Sequence, residues 1–259
     1  MKIRFNSLFT LLIIALITVY SGSVFAQTEK TSEVKTGDEE WSIEIDPTSK
    51  ARINFIEDSW DFGSIPKDAI ITHDFDFYNS GDDTLVITKV QPTCGCTTAP
   101  LKSDRIAPGD TSGFSVKVNT KKLHGLVRKF INVECSDPIN PYLRLIFKAV
   151  INDPNQKIMV NPLVADFTNI KKGSNSSVDL EITNTYTETA NLMILDKPKD
   201  KMLSIDLKSK TLKPGESTTI SFNFDGDTNS GEFFGSMTLE AEGMAKSRFT
   251  IPIKGTVVE

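Results

Sequence analysis

"DFGSIPKDAIITHDFDFYNSG", residues 61–81, decides the fold once it is set against "DFTNIKKGSNSSVDLEITNTY", residues 166–186. The two stretches open alike and lie 105 residues apart. In the first, His73, Phe75 and Phe77 alternate with Asp74, Asp76 and Tyr78, the period of two that marks a strand with one buried face. In the second, Val178, Leu180 and Ile182 hold the same places against Asp179 and Glu181. One strand pattern, written twice, predicts a duplicated β domain.

The register continues outward in both directions. Past one small insertion the offset becomes 106, so that Pro92 meets Pro198 and Pro108-Gly109-Asp110 meets Pro214-Gly215-Glu216. Leu101-Lys102-Ser103 meets Leu207-Lys208-Ser209, Gly125 meets Gly231 and Lys148 meets Lys254. Further strands are expected at Leu85–Val90, Ser112–Val118, Val127–Cys135 and Leu143–Ile151, separated by turn residues such as Asn79-Ser80-Gly81 and Asp137-Pro138. No segment carries a sustained helical stripe. About seven short strands in about a hundred residues predict an all-β chain of two tandem immunoglobulin-like antiparallel sandwiches. Their expected limits are 52–153 and 157–259, and the short polar linker around Pro154 is expected to hold them end to end.

The N-terminus has the pattern of an export signal. Lys2 and Arg4 precede the apolar run Leu8–Val19, and Val24-Phe25-Ala26 offers a cleavage site, giving a signal peptide over 1–26. That run is too short for an ordinary membrane span, and no cysteine follows the site to take a lipid anchor. The expected product is soluble, not lipid-anchored, and periplasmic or extracellular. Residues 27–51 are polar and read as a flexible linker, although Trp41, Ile43 and Ile45 alternate like a short strand. Losing the two positive charges of the leader takes the formal net charge from −5 to −7, which argues against nucleic acid and anionic lipid as partners.

Of three cysteines, Cys94 and Cys96 stand one residue apart in "QPTCGCT", residues 91–97. The second copy places Asp200, Lys201 and Met202 there, so the sandwich does not need the pair. Cys135 follows Ile131 and Val133 on one strand face and aligns with Ala241, the place of a small core residue. Adjacent antiparallel strands would set it near Leu85, roughly 20 Å or more from Cys94 and beyond disulfide reach. Three readings of Cys94 and Cys96 stay open: an incidental loop pair, a local disulfide tolerated by Gly95, or a soft-metal pair for copper(I).

The run from Asp61 through Pro92, Thr93, Cys94, Gly95, Cys96 and Thr97, followed by "IAPGD" and "SDP", resembles bacterial domain-of-unknown-function family 1573. The resemblance covers about residues 53–152 and implies an exported immunoglobulin-like domain whose motif loop is Pro92 to Thr97. That family is similar to sperm-protein-like sandwich modules that act as binding platforms. It carries no established activity, and the second copy lacks its cysteines.

Catalytic motifs are missing. His73 occupies a strand position held by Val178 in the other copy, and His124 sits in a turn beside Gly125; both read as structural. There is no nucleophile elbow, phosphate loop or zinc signature, and Asp82-Asp83 lacks the spaced oxygen ligands of a calcium loop. The expectation is a non-catalytic structural or protein-binding module without cofactor, its partner an envelope or surface protein. The rival is a thiol-redox or copper-handling protein acting through Cys94 and Cys96.

Overall fold

The computed structural model describes residues 45–199, 202–226 and 230–259. The expected signal peptide, Trp41, Ile43, Asp200 and Lys201 lie outside them. The described residues form strands and no helix. The first sandwich comprises β1 (Ile53–Phe55), β2 (Ser59–Ile65), β3 (Ile70–Asn79), β4 (Leu85–Pro92), β5 (Thr97–Thr98), β6 (Arg105–Ile106), β7 (Thr111–Asn119), β8 (Gly125–Cys135) and β9 (Tyr142–Ile151). One sheet runs β1-β3-β7-β5, and the other runs β2-β9-β8-β4-β6.

The second sandwich repeats this plan. Its strands are β10 (Ile158–Asn161), β11 (Ala165–Lys171), β12 (Ser176–Asn184), β13 (Ala190–Asp196), β14 (Leu203–Leu207), β15 (Thr211–Leu212), β16 (Ser217–Phe224), β17 (Gly231–Ala241) and β18 (Phe249–Val258). One sheet runs β10-β12-β16-β14, the other β15-β13-β17-β18 with β11 parallel to β18.

The strand alternation puts its apolar side inward, as expected. Phe75 and Phe77 on β3 are fully buried with Phe62, Phe114 and Phe147, while Leu180 and Ile182 on β12 pack with Phe167, Ile220 and Phe222. Each such side chain contributes about 1.5–3 kcal/mol by leaving water. The two cores are separate.

Several matched residues do matched work. The Lys148 ammonium lies 3.1 Å from Asp61, and that of Lys254 lies 2.9 Å from Asp166. Asn79 and Asn184, both fully buried, donate through Nδ2 to Asp83 and Ile106 carbonyls in one copy and to Glu188 and Leu212 carbonyls in the other. Gly109 and Gly215 turn the chain at φ of 81° and 79°, a conformation glycine adopts without steric cost, each following a proline.

Two expectations need correction. The linker expected to reach residue 51 ends sooner, because Ala51 is wholly buried in the first core and the Lys50 N–H donates to Asp83 at 2.8 Å. The sandwiches are also not strung end to end. β18 pairs with β2 at Phe249 and Ser64, so one sheet of ten strands runs through both domains. The physical reason is the edge of β2, whose unpaired backbone groups the second domain covers. Ser64 N–H donates to the Arg248 carbonyl at 2.9 Å, and the Thr250 hydroxyl donates to the Phe62 carbonyl at 2.6 Å.

Candidate functional site

The motif loop carries the chain from one sheet to the other. β4 ends at Pro92 opposite Ile131, and β5 starts at Thr97 opposite Val118 of the facing sheet. Thr93 fastens the exit, its N–H donating to the Phe130 carbonyl at 3.0 Å. Cys94 and Cys96 are joined as a disulfide, their Cα atoms 5.3 Å apart. Gly95 is exposed at the tip, with open space where a side chain would stand. Cys96 packs against the first core, and its carbonyl accepts from Asn119 N–H at 2.9 Å. Thr97 is buried, its hydroxyl 3.3 Å from Cys94 Sγ and 3.7 Å from Cys96 Sγ. In this oxidised form neither sulfur offers a thiolate to copper(I). Among the described residues no group of three or more His, Cys, Asp and Glu is placed to hold a metal ion.

The second copy shows what the disulfide is not needed for. Met202 takes the place of Cys96, packs against the second core, and accepts through its carbonyl from Asp225 N–H at 2.8 Å, the same bond that Asn119 makes. Exchanging both Cys94 and Cys96 for serine is therefore expected to change stability by no more than about 1 kcal/mol, since so small a closed loop removes little freedom from the unfolded chain. Thermal melting checks this. A fall in melting temperature beyond about 8 °C, more than 1 kcal/mol can produce in a domain of this size, would make the pair structural.

Cys135 is a separate matter. It is fully buried beside Ile87 of β4, and its thiol donates to the Asn140 carbonyl at 3.3 Å. Burial, chiefly, pushes the thiol up to about 11, a neighbouring Asp137 carboxylate adding to it against a backbone hydrogen bond that opposes. The folded form thus holds the Cys135 proton more tightly than the unfolded chain does. Its stabilising effect is complete below about pH 8.5, the ordinary thiol range, and drains away as pH rises towards 11. Native protein is expected to resist thiol reagents at Cys135 at neutral pH. It should also lose on the order of 2 kcal/mol relative to Cys135→Ala between pH 8.5 and 11 in urea titrations.

His73 holds a place that strand periodicity alone does not reveal. It is 5% exposed and stacks on Trp60 with ring centroids 4.0 Å apart. Nε2 lies 2.7 Å from Glu57 of the first sandwich and Nδ1 lies 2.7 Å from Asp196 of the second. Nearby, Lys199 of the second sandwich binds Asp76 of the first. Partial burial raises Asp76, but hydrogen bonds and charge from Lys199 and Lys102 outweigh it and hold the carboxyl below its ordinary range. His124 stays exposed in its turn. The two sandwiches also enclose a cleft of about 580 Å³, lined by Thr98, Pro100 and Lys117 on one side and Lys197, Pro198 and Phe234 on the other.

Comparison with known proteins follows the same division. Residues 53–151 match the family model described as protein of unknown function (DUF1573), and residues 156–256 match the HYDIN/CFA65/VesB-like Ig-like domain. Among solved structures the chain is similar, at 12% identity, to a protein of unknown function from Porphyromonas gingivalis W83, covering 79% of this chain and 99% of that one with a TM-score of 0.35. It is similar at 10% identity to the N-terminal Ig1-2 module of the Drosophila receptor protein tyrosine phosphatase DLAR, covering 80% and 99% with a TM-score of 0.39. A third likeness, at 11% identity, is to the secreted serine protease VesC from Vibrio cholerae, covering 70% and 47% with a TM-score of 0.32. None of the curated proteins matches the chain. No helix among the described residues is long and apolar enough to cross a membrane. The sandwich that carries the cysteine pair thus matches the DUF1573 family model, and the sandwich after it matches a different, Ig-like model.

Proposed function

We propose that the chain is a non-catalytic binding module of the cell envelope, exported through residues 1–26 and released as a soluble product beginning at Gln27. The observation that carries this reading is the junction. A shared sheet, the His73 bridge and the Lys199–Asp76 pair fix two Ig-like sandwiches as one body with a composite cleft. Clefts between domains are where ligands and partners commonly seat. The partner is a protein of the envelope or the surface.

The test places a photo-crosslinking residue at Lys117 or Lys197, one on each wall of the cleft, in cells that export the protein. A discrete crosslinked protein is expected from both positions, and it should vanish when the sandwiches are uncoupled. Crosslinks that survive uncoupling, or their absence at both positions, would remove the cleft as the binding surface. Intact mass of the exported product checks the processing: a species retaining Met1, or one bearing lipid, rules out the expected leader cleavage.

A further inference from the structure

The Thr97 hydroxyl is placed against chemistry that the fold does not require. It is buried, and among the described residues its hydrogen-bond partners are the two sulfurs of the Cys94–Cys96 disulfide. A disulfide sulfur is a weak acceptor, whereas a thiolate is charged and binds a donor much more strongly. The hydroxyl therefore gains a strong partner only when the disulfide opens. The equivalent position in the second sandwich is Leu203, so the strand forms without a hydroxyl there. The hydrogen bond that seats the loop also does not depend on the disulfide. The Asn119 bond to the Cys96 carbonyl, which seats the loop, has its twin at Met202 where there is no disulfide.

We propose that Cys94 and Cys96 form a thiol–disulfide exchange site that accepts two electrons from a dithiol, with Thr97 as the donor to the thiolate formed. Cys96 is the member packed against the core, so the incoming thiolate attacks Cys94 Sγ. A bond forms between the dithiol and Cys94, the Cys94–Cys96 bond breaks, and Cys96 leaves as a thiolate that accepts from the Thr97 hydroxyl. The second thiol of the dithiol then attacks its own sulfur in the mixed disulfide and expels Cys94. Both cysteines take up protons, the dithiol becomes a disulfide, and the sum is two electrons and two protons moved. The reverse course reoxidises the pair at the expense of an external disulfide. Exposed Gly95 leaves the approach open. This chemistry is independent of the cleft and of any protein seated there.

The test uses the full chain purified without reductant, with dithiothreitol as the dithiol at neutral pH. Alkylation and peptide mass spectrometry follow the Cys94–Cys96 peptide over time, while Cys135 stays unlabelled as an internal marker of the folded state. The expected result is reduction at millimolar dithiothreitol with the melting transition retained, and complete reoxidation by oxidised dithiothreitol. Thr97→Val should slow reduction about tenfold, the worth of one hydrogen bond to a charged group, and Thr97→Ser should restore the rate. Three outcomes overturn the proposal: cysteines that stay as free thiols under oxidised dithiothreitol, reduction that occurs only with labelling of Cys135, and equal rates for the parent and Thr97→Val.

Discussion

Replacing Gly63 with valine is expected to free the second sandwich from the first. Gly63 sits at φ 66°, where a β-branched residue is strained by about 1–2 kcal/mol. A Cβ there would stand 2.2 Å from the Arg248 carbonyl oxygen and 2.4 Å from its carbon. Those are backbone atoms, so no side-chain rotation relieves the clash. The strand pairing of Phe249 with Ser64 and the hydrogen bonds from Ser64 and Thr250 would be lost together. Strain and lost docking together are expected to cost about 3 kcal/mol or more, at the large end for a single substitution. Calorimetry should show one transition in the parent become two, and small-angle scattering should show a larger radius of gyration. A single transition at an unchanged temperature would falsify the assignment of Gly63 as the docking point.

A second large effect is expected from Asp137→Ala, far from the junction. Asp137 is fully buried, yet all its partners are supplied. Oδ1 accepts from the Ile139 and Asn140 N–H groups at 2.8 and 3.2 Å, Oδ2 accepts from Ile53 N–H at 3.1 Å, and the Arg52 guanidinium lies 3.7 Å away. Truncation leaves three backbone donors and a cation without their acceptor. Water entering the space recovers part of the loss, so the net cost is expected to be about 3–5 kcal/mol. Urea denaturation of the two proteins measures it. The Asp137→Asn variant keeps one acceptor oxygen and should lose clearly less than the alanine variant. A difference under about 1 kcal/mol between parent and alanine would show that water alone satisfies the site.

Both predictions bear on what a sequence can and cannot disclose. The duplication was legible because matched residues share a physical duty within one sandwich. Asp61 and Lys148 pair as Asp166 and Lys254 do, and Asn79 ties its turn as Asn184 does. Such duties arise from neighbouring strands, so they recur at a fixed offset. Cys135 was legible for the same reason, through its alternation with Ile131 and Val133. The junction was not. His73 sits inward on its strand like any core residue, while Asp196 lies 123 residues along the chain, with no spacing rule to connect them. The side-by-side joining hid as well, because a short polar stretch fits either arrangement. Its one written signal was Gly63 set against Thr168, a glycine kept where the other copy has dispensed with it. At the motif loop the sequence left three states of the cysteines open, since spacing permits each of them. The duty of Thr97 became visible only when its burial and its two sulfur partners were seen together.

That difference between the copies also limits growth of the array. β2 bulges against β9, its register shifting between Asp61 and Ser64, and if docking on that bulge were a general rule of assembly, each new sandwich would seat its last strand against the bulge of the one before. The corresponding acceptor in the second sandwich is Phe167-Thr168-Asn169, where β11 shifts register against β18. Thr168 is exposed there, its hydroxyl bound to Asp166, and the positive φ that Gly63 carries in the first sandwich falls on Asn169, at 61°. The two edges therefore differ: the first sandwich presents a glycine at its bulge and receives a neighbour there, while the second presents the exposed side chains of Thr168 and Asn169. A further sandwich, or a second molecule stacking head to tail, would meet side chains on this edge where the first junction has a glycine, so the same contact could not be copied there without accommodating them.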